Sequence, residues 1–131
     1  MSFRFVPLAL AALVSAAAVS APAAAAEFRN FDAATFATAQ KAGRAIVVDV
    51  HATWCPTCAA QSRAISRIVT DRKFDKLLVL NVDYDTQKPV WQGFKAQKQG
   101  VLIAFHGTQE RARLAFLTDD ANITKLLGDA L

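Results

Sequence analysis

Cysteine is nearly absent from this sequence: among 131 residues there are two, Cys55 and Cys58, separated only by Pro56 and Thr57. A framework of stapling disulfides is therefore excluded, and two thiols supply only half of a four-ligand metal shell. A bridge between them would close too short a ring for loop-closure entropy to matter, so the pair is there for chemistry rather than for folding. Basic runs are missing as well. The formal net charge is +4, one unit of it from Arg4, and the longest basic cluster is Arg72-Lys73. No stripe of cations is available to track phosphates, so no nucleic-acid partner is expected. Past the N-terminal segment there is no internal repeat and no low-complexity stretch.

The one long apolar stretch lies at the N-terminus. Arg4 gives a positive start, Val6 to Val19 are rich in Ala and Leu, and Ala24-Ala25-Ala26 ends on the small-x-small pattern of a signal peptidase site. A membrane span needs about 20 strongly apolar residues. This one is shorter, dominated by Ala and interrupted by Pro7 and Pro22. Residues 1–26 are thus expected to be a cleaved signal peptide, and residues 27–131 one compact domain without stable membrane insertion. No cysteine near the cleavage point is available for lipid attachment. In a Gram-negative source the mature protein goes to the periplasm.

In the mature chain, Asp32 caps a first helix reaching about Ala42, with Phe31 and Phe36 at staple spacing and Gly43 as the stop. Ala45 to Val50 is β-branched and almost unbroken, as a central strand covered on both faces would be; Asp49 is its exception. A helix is expected from Cys55 to about Thr70, with Ile65, Ile68 and Val69 toward the core and Arg63 and Arg67 toward water. Leu77 to Val82 reads as the next strand, and Asp85 as the cap of a third helix ending near Ala96 with Pro89 in its first turn. Val101 to Phe105 and Arg111 to Leu117 read as strands joined by a turn at His106 to Gln109, with His106 on the surface. Ile123, Leu126 and Leu127 line a closing helix.

The dithiol falls where the central strand gives way to the long helix. Cys55 begins that helix, so its sulfur faces unpaired N–H groups and the positive end of the helix dipole, which favour thiolate and make it the nucleophile. Pro56 suits the first helical position because it has no N–H to leave unsatisfied. Cys58, one turn in, is more shielded and is the thiol that resolves a mixed disulfide formed by Cys55, leaving Cys55 and Cys58 oxidised. Asp49 in a buried strand is ionised only at a cost, so desolvation lifts its pKa toward that of a general base for Cys58; alternatively it bonds a neighbouring backbone group. His51, on the same strand face, either stabilises the Cys55 thiolate as a modulator or is a hydrogen-bonded structural residue. Trp54 is either core filler or a wall beside the sulfur that touches substrate.

The element order α-β-α-β-α-β-β-α, with Trp54-Cys55-Pro56-Thr57-Cys58 after the first strong strand and an acid six residues before Cys55, resembles the thioredoxin family over essentially the whole mature chain. The resemblance implies an α/β thioredoxin-like fold, a central mixed β-sheet flanked by helices. It implies a thiol-disulfide oxidoreductase that needs no cofactor beyond its redox-active Cys55–Cys58 disulfide. Its expected partners are protein thiols and disulfides and a membrane thiol-electron donor, and it is expected to be monomeric. The Pro56-Thr57 spacer is closer to those of secreted relatives than to the Gly-Pro of cytosolic thioredoxins. Catalysis falls to Cys55, Cys58 and Asp49, and substrate contact to Trp54, Pro56, Thr57, Gln99 and Gly100.

One departure stands out. Thioredoxins carry a cis-proline opposite the dithiol, just before the strand that begins here at Val101, and this chain has Gln99-Gly100. Glycine is expected to leave the space facing the sulfurs open, to weaken capture of peptide backbones and to admit metal, and Gly100→Pro to move the protein toward the family norm if the loop can adopt a cis bond. Two rivals follow: a metal or iron–sulfur module completed by His51, a second protomer or an exogenous thiol, and a redox-inert adaptor. Metal itself is not expected at the site.

Overall fold

The computed structural model describes residues 25–131, together with residue 2 and residues 17–20, so the leader expected over residues 1–26 falls mainly outside the described residues. Five strands form one sheet in the order β1-β3-β2-β4-β5: β1 (Glu27–Asn30), β2 (Ala45–His51), β3 (Leu78–Asp83), β4 (Val101–His106) and β5 (Gln109–Ala115). β3 runs parallel to both β1 and β2, whereas β4 is antiparallel to β2 and to β5. The sheet is thus mixed, with β2, the strand that leads to the dithiol, at its centre.

Four helices cover it: α1 (Ala33–Lys41), α2 (Pro56–Ile68), α3 (Lys88–Gly93) and α4 (Asp120–Asp129). Alternation along β2 divides the core. Ile46, Val48 and Val50 pack with Phe31, Trp91 and Phe105 under α1 and α3, while Val47 packs with Ile65, Phe74, Ile123 and Leu127 under α2 and α4. Burial on both faces is why β2 reads as an unbroken apolar run. The cap and staple of α1 form as expected, with Asp32 accepting from the Thr35 N–H at 2.8 Å and the Phe31 and Phe36 rings 5.6 Å apart. Among the described residues no helix is long and apolar enough to cross a membrane.

Four local expectations are corrected. β1 has no counterpart among the strands expected from sequence; it is a short, mostly exposed edge whose one strand partner is β3. α3 starts at Lys88 after Gln87, not at an Asp85 cap, because the Asp83 carboxylate accepts from the Asp85 and Thr86 N–H groups and holds that stretch in a turn. β5 lies two residues earlier than expected, at Gln109–Ala115, because the hairpin turn is confined to Gly107 and Thr108. His106 is half-buried rather than on the surface, its Nδ1 donating to the Ala130 carbonyl at 3.0 Å.

Candidate active site

β2 ends at His51, and a short turn carries the chain through Ala52 and Trp54 to Cys55, the N-cap of α2. Cys55 is extended (φ −91°, ψ 111°), and its Sγ accepts the Cys58 N–H at 3.1 Å, the bond that a serine or aspartate makes at an ordinary cap. A sulfur in that place receives both a donated hydrogen bond and the dipole of a 13-residue helix, which stabilise negative charge on it. Pro56 occupies the first helical position, as its missing N–H allows. Both cysteines are thiols and buried, Cys58 completely. Burial first, and then a hydrogen bond to Cys55, push the Cys58 thiol up to about 12. The two sulfurs are therefore unlike: Cys55 Sγ accepts a backbone N–H at the head of the helix, whereas Cys58 is fully buried and held as a thiol.

Asp49 is 2% exposed, and its Oδ1 has no hydrogen-bond partner. Desolvation pushes its carboxyl up to about 7. An acid placed to bond the backbone would have a partner, and Oδ1 has none. It is close enough to Cys58 for its charge to disfavour the thiolate there.

Trp54 is 58% exposed, so it is not core filler. Its indole Nε1 donates to the Asp85 carboxylate at 3.0 Å, and its ring meets Tyr84 edge-on at 6.2 Å. Tyr84 in turn packs against Ala52, Cys55 and Cys58 and stacks on Trp91 at 4.9 Å. No local sequence pattern marks Tyr84 or the Asp85 contact, because both act across the β3–α3 turn. His51 is half-buried on the α2 face of the sheet, two residues beyond Asp49.

Gly100 does lie opposite the dithiol, and the space there is filled rather than open. A Cβ on Gly100 would sit 3.1 Å from the Phe116 ring and 3.7 Å from Thr57 Cγ2. Phe116, itself left-handed at φ 60°, turns in from the loop after β5, and Lys98 Nζ lies 4.3 Å above its ring. Gly100 has φ +77° and its N–H donates to Val50 O at 2.8 Å; its carbonyl accepts from Phe116 N and from Gln61 Nε2. Proline permits neither the dihedral nor the donated bond, so Gly100→Pro does not restore the family geometry. Both polar groups of the Gly100 backbone are engaged within the fold, its N–H donated and its carbonyl accepting twice. Pro56 is exposed, and Thr57 and Gln99 are half-buried, all on the dithiol side of the molecule.

Gln61 was not foreseen. It is fully buried on α2, three residues after Cys58, and its amide also donates to Leu117 O at 3.1 Å, tying the dithiol helix to both loops that face it. An uncharged polar residue on the apolar stripe shared by Cys58, Ala64 and Ile65 is the sequence signal that could have found it. Among the described residues no three His, Cys, Asp or Glu side chains gather into a metal-ligating group.

A thiol at the helix cap, a second thiol fully buried one turn in and a sheet centred on the strand that leads to them are the site of a thiol-disulfide oxidoreductase. The thioredoxin family profile matches residues 27–127, and the chain belongs to that family. Thioredoxins use their own cysteines and need no cofactor. Thioredoxin from Mycobacterium tuberculosis is 29% identical over 99 residues, 75% of this chain and 84% of that protein. The bifunctional thioredoxin reductase/thioredoxin of Mycobacterium leprae is 26% identical over 100 residues, 76% of this chain but only 22% of that longer protein. Among solved structures, Trxlp from Edwardsiella tarda superposes with a TM-score of 0.74 at 32% identity, covering 77% of this chain and 98% of that one.

Proposed function

We propose that this chain is a periplasmic thiol-disulfide oxidoreductase of protein disulfides in which Cys55 attacks, Cys58 resolves and Asp49 takes the Cys58 proton. The observation that carries the role assignment is the Cys58 N–H donated to Cys55 Sγ at the cap of α2, beside a carboxyl that burial has made basic. Cys55 thiolate attacks a substrate disulfide, and one substrate sulfur leaves as a thiolate. Once Cys55 is tied into the mixed disulfide its charge is gone, which removes part of what holds Cys58 as a thiol. Asp49 then accepts the Cys58 proton as the Cys58 sulfur bonds Cys55 and expels the second substrate thiolate. The exposed Trp54 and Phe116 supply apolar side-chain contact in place of backbone pairing at Gly100.

Asp49→Asn tests the base. It is nearly isosteric, so the resolving step at neutral pH should slow about a hundredfold, the low end of what a positioned base contributes. Unchanged turnover between about pH 6 and pH 9 would make Asp49 structural. The same variant reads out stability. The wild-type Asp49 carboxyl titrates near 3.8 unfolded and near 7 folded, so the two states hold its proton alike below about pH 4. Between about pH 4 and pH 7 the folded chain keeps a proton that the unfolded chain has released, and stability falls as pH rises; above about pH 7 the full penalty stands. A shift of that size is worth on the order of 4 kcal/mol. Urea unfolding should show Asp49→Asn gaining on the wild type as pH rises through this window, and a gap independent of pH would contradict it.

The periplasmic assignment is supported by the N-terminal pattern of residues 1–26. Intact mass of exported protein should begin at or within a few residues of Glu27. Full-length protein retained in the inner membrane would overturn both the location and the reading of residues 27–131 as the mature domain. A membrane thiol-electron donor and a monomeric state belong to the same proposal.

A further inference from the structure

Beside the dithiol, on the α2 side of the sheet, lies a cleft of about 490 Å³ whose lining includes Asn30, His51, Thr53, Ser62, Asn81 and Asp83 and no lysine or arginine. Neither half of the exchange reaction uses it. Its floor brackets Asp49. Asn81 is the cross-strand partner of Asp49 in the β2–β3 register, and His51 stands two residues further along β2 on the same face. Exposure falls inward: Thr53 and Asp83 at the rim are exposed, His51 and Asn81 half-buried, Asp49 buried. A base that takes a proton in every turnover must lose it before the next. The burial that makes Asp49 basic also bars it from bulk water.

We infer that His51 is a proton relay, carrying the proton that Asp49 accepts from Cys58 outward through this cleft to solvent. It rests on Asp49 being the base of the resolving step. The proton passes from Asp49 to the neutral imidazole, which releases one to water at the rim, so Asp49 is again a carboxylate and His51 again neutral. No electrons move in this step. Imidazole suits the task because it accepts and releases protons near neutral pH, and its two nitrogens let it take a proton on one side and give it up on the other. Ser62 from α2 and Asn81 from β3 line the cleft with hydrogen-bonding groups, as a hydrated path requires. The titratable groups around His51 are Asp49 on its own strand, Asp83, its register partner on β3, and Cys55 and Cys58 from the α2 end; the Asp83 carboxylate is engaged by the Asp85 and Thr86 N–H groups. His51 is thus a positioning and relay group rather than one that touches substrate.

The test is single-turnover kinetics on full-length mature protein, with formation and resolution of the mixed disulfide followed separately. His51→Ala should slow resolution at least about tenfold at neutral pH, leave attack by Cys55 unchanged, and recover with added imidazole, which fits the vacated space. His51→Gln keeps a hydrogen-bonding side chain of similar reach and should be equally slow, which separates proton transfer from folding. Asp49→Asn should be slow and insensitive to imidazole. If Asp49→Asn is slow but both His51 variants resolve at the wild-type rate, the relay is wrong and the base stands. If the His51 variants slow attack and resolution alike with no imidazole rescue, His51 acts on the Cys55 thiolate or on the fold, and the relay is wrong. If Asp49→Asn itself resolves normally, the base assignment fails and the relay with it.

Discussion

Cys55→Ser is expected to abolish reduction of insulin or a model disulfide, and Cys58→Ser to accumulate long-lived mixed disulfides at Cys55. The asymmetry follows from one turn of helix. Cys55 caps α2 and receives the Cys58 N–H at 3.1 Å, so its charge is stabilised by a donor that the fold has already placed. Cys58 is fully buried and held as a thiol. Serine at the cap position keeps the hydrogen bond and the helix but has no sulfur to form the first covalent bond, so the loss is chemical and not structural. Serine at position 58 leaves the attack intact and removes only the group that cuts the intermediate. Alkylation of the dithiol form near neutral pH should accordingly modify Cys55 far faster than Cys58. Equal rates would sink the assignment of roles.

The parts of this chain that could be read in its sequence are those where local pattern and tertiary environment agree. β2 is apolar on both sides because it is central, α2 starts where Cys55 and Pro56 leave no N–H wasted, and Asp32, Phe31 and Phe36 announce α1. β1 was invisible for the converse reason. As an edge strand it has one partner, and its Glu27 and Arg29 face water and each other. What holds it is long-range: the Glu27 N–H donated to Leu77 O, the Phe31 N–H donated to Asn81 O, and an Arg44–Glu27 ion pair at 3.2 Å. Asp85 misled because aspartate caps helices in isolation, whereas here an indole N–H reaches across from another loop and claims the carboxylate. Cys55, Cys58 and Asp49 stand out in the sequence because their chemistry is unusual for their positions. Tyr84, Gln61 and Phe116 were not, because each meets the dithiol region through a segment distant in sequence, and nothing in the local run of residues encodes that meeting.

Gly100 shows most sharply how a family position can be found while its content is misread. Gly100→Pro should destabilise the fold by more than about 3 kcal/mol, the scale of a proline that removes a bonded N–H and clashes with its surroundings. Three costs coincide. Proline holds φ near −65°, whereas this residue stands at +77°; the N–H bonded to Val50 O at 2.8 Å is lost; and ring atoms would enter space where even a Cβ meets Phe116 at 3.1 Å. Gly100→Ala separates the contributions, since it keeps the N–H and costs about 1–2 kcal/mol for the left-handed backbone, plus whatever Phe116 must yield. Pairing it with Phe116→Ala should return the second part and leave the first, a non-additivity visible in urea midpoints. Activity should not rise in any of these variants, because Phe116 rather than an absent proline ring covers the loop facing Thr57. A Gly100→Pro protein as stable as the wild type would mean that the Gly100 loop holds another conformation in solution, and the account of a Phe116-covered site would fall with it.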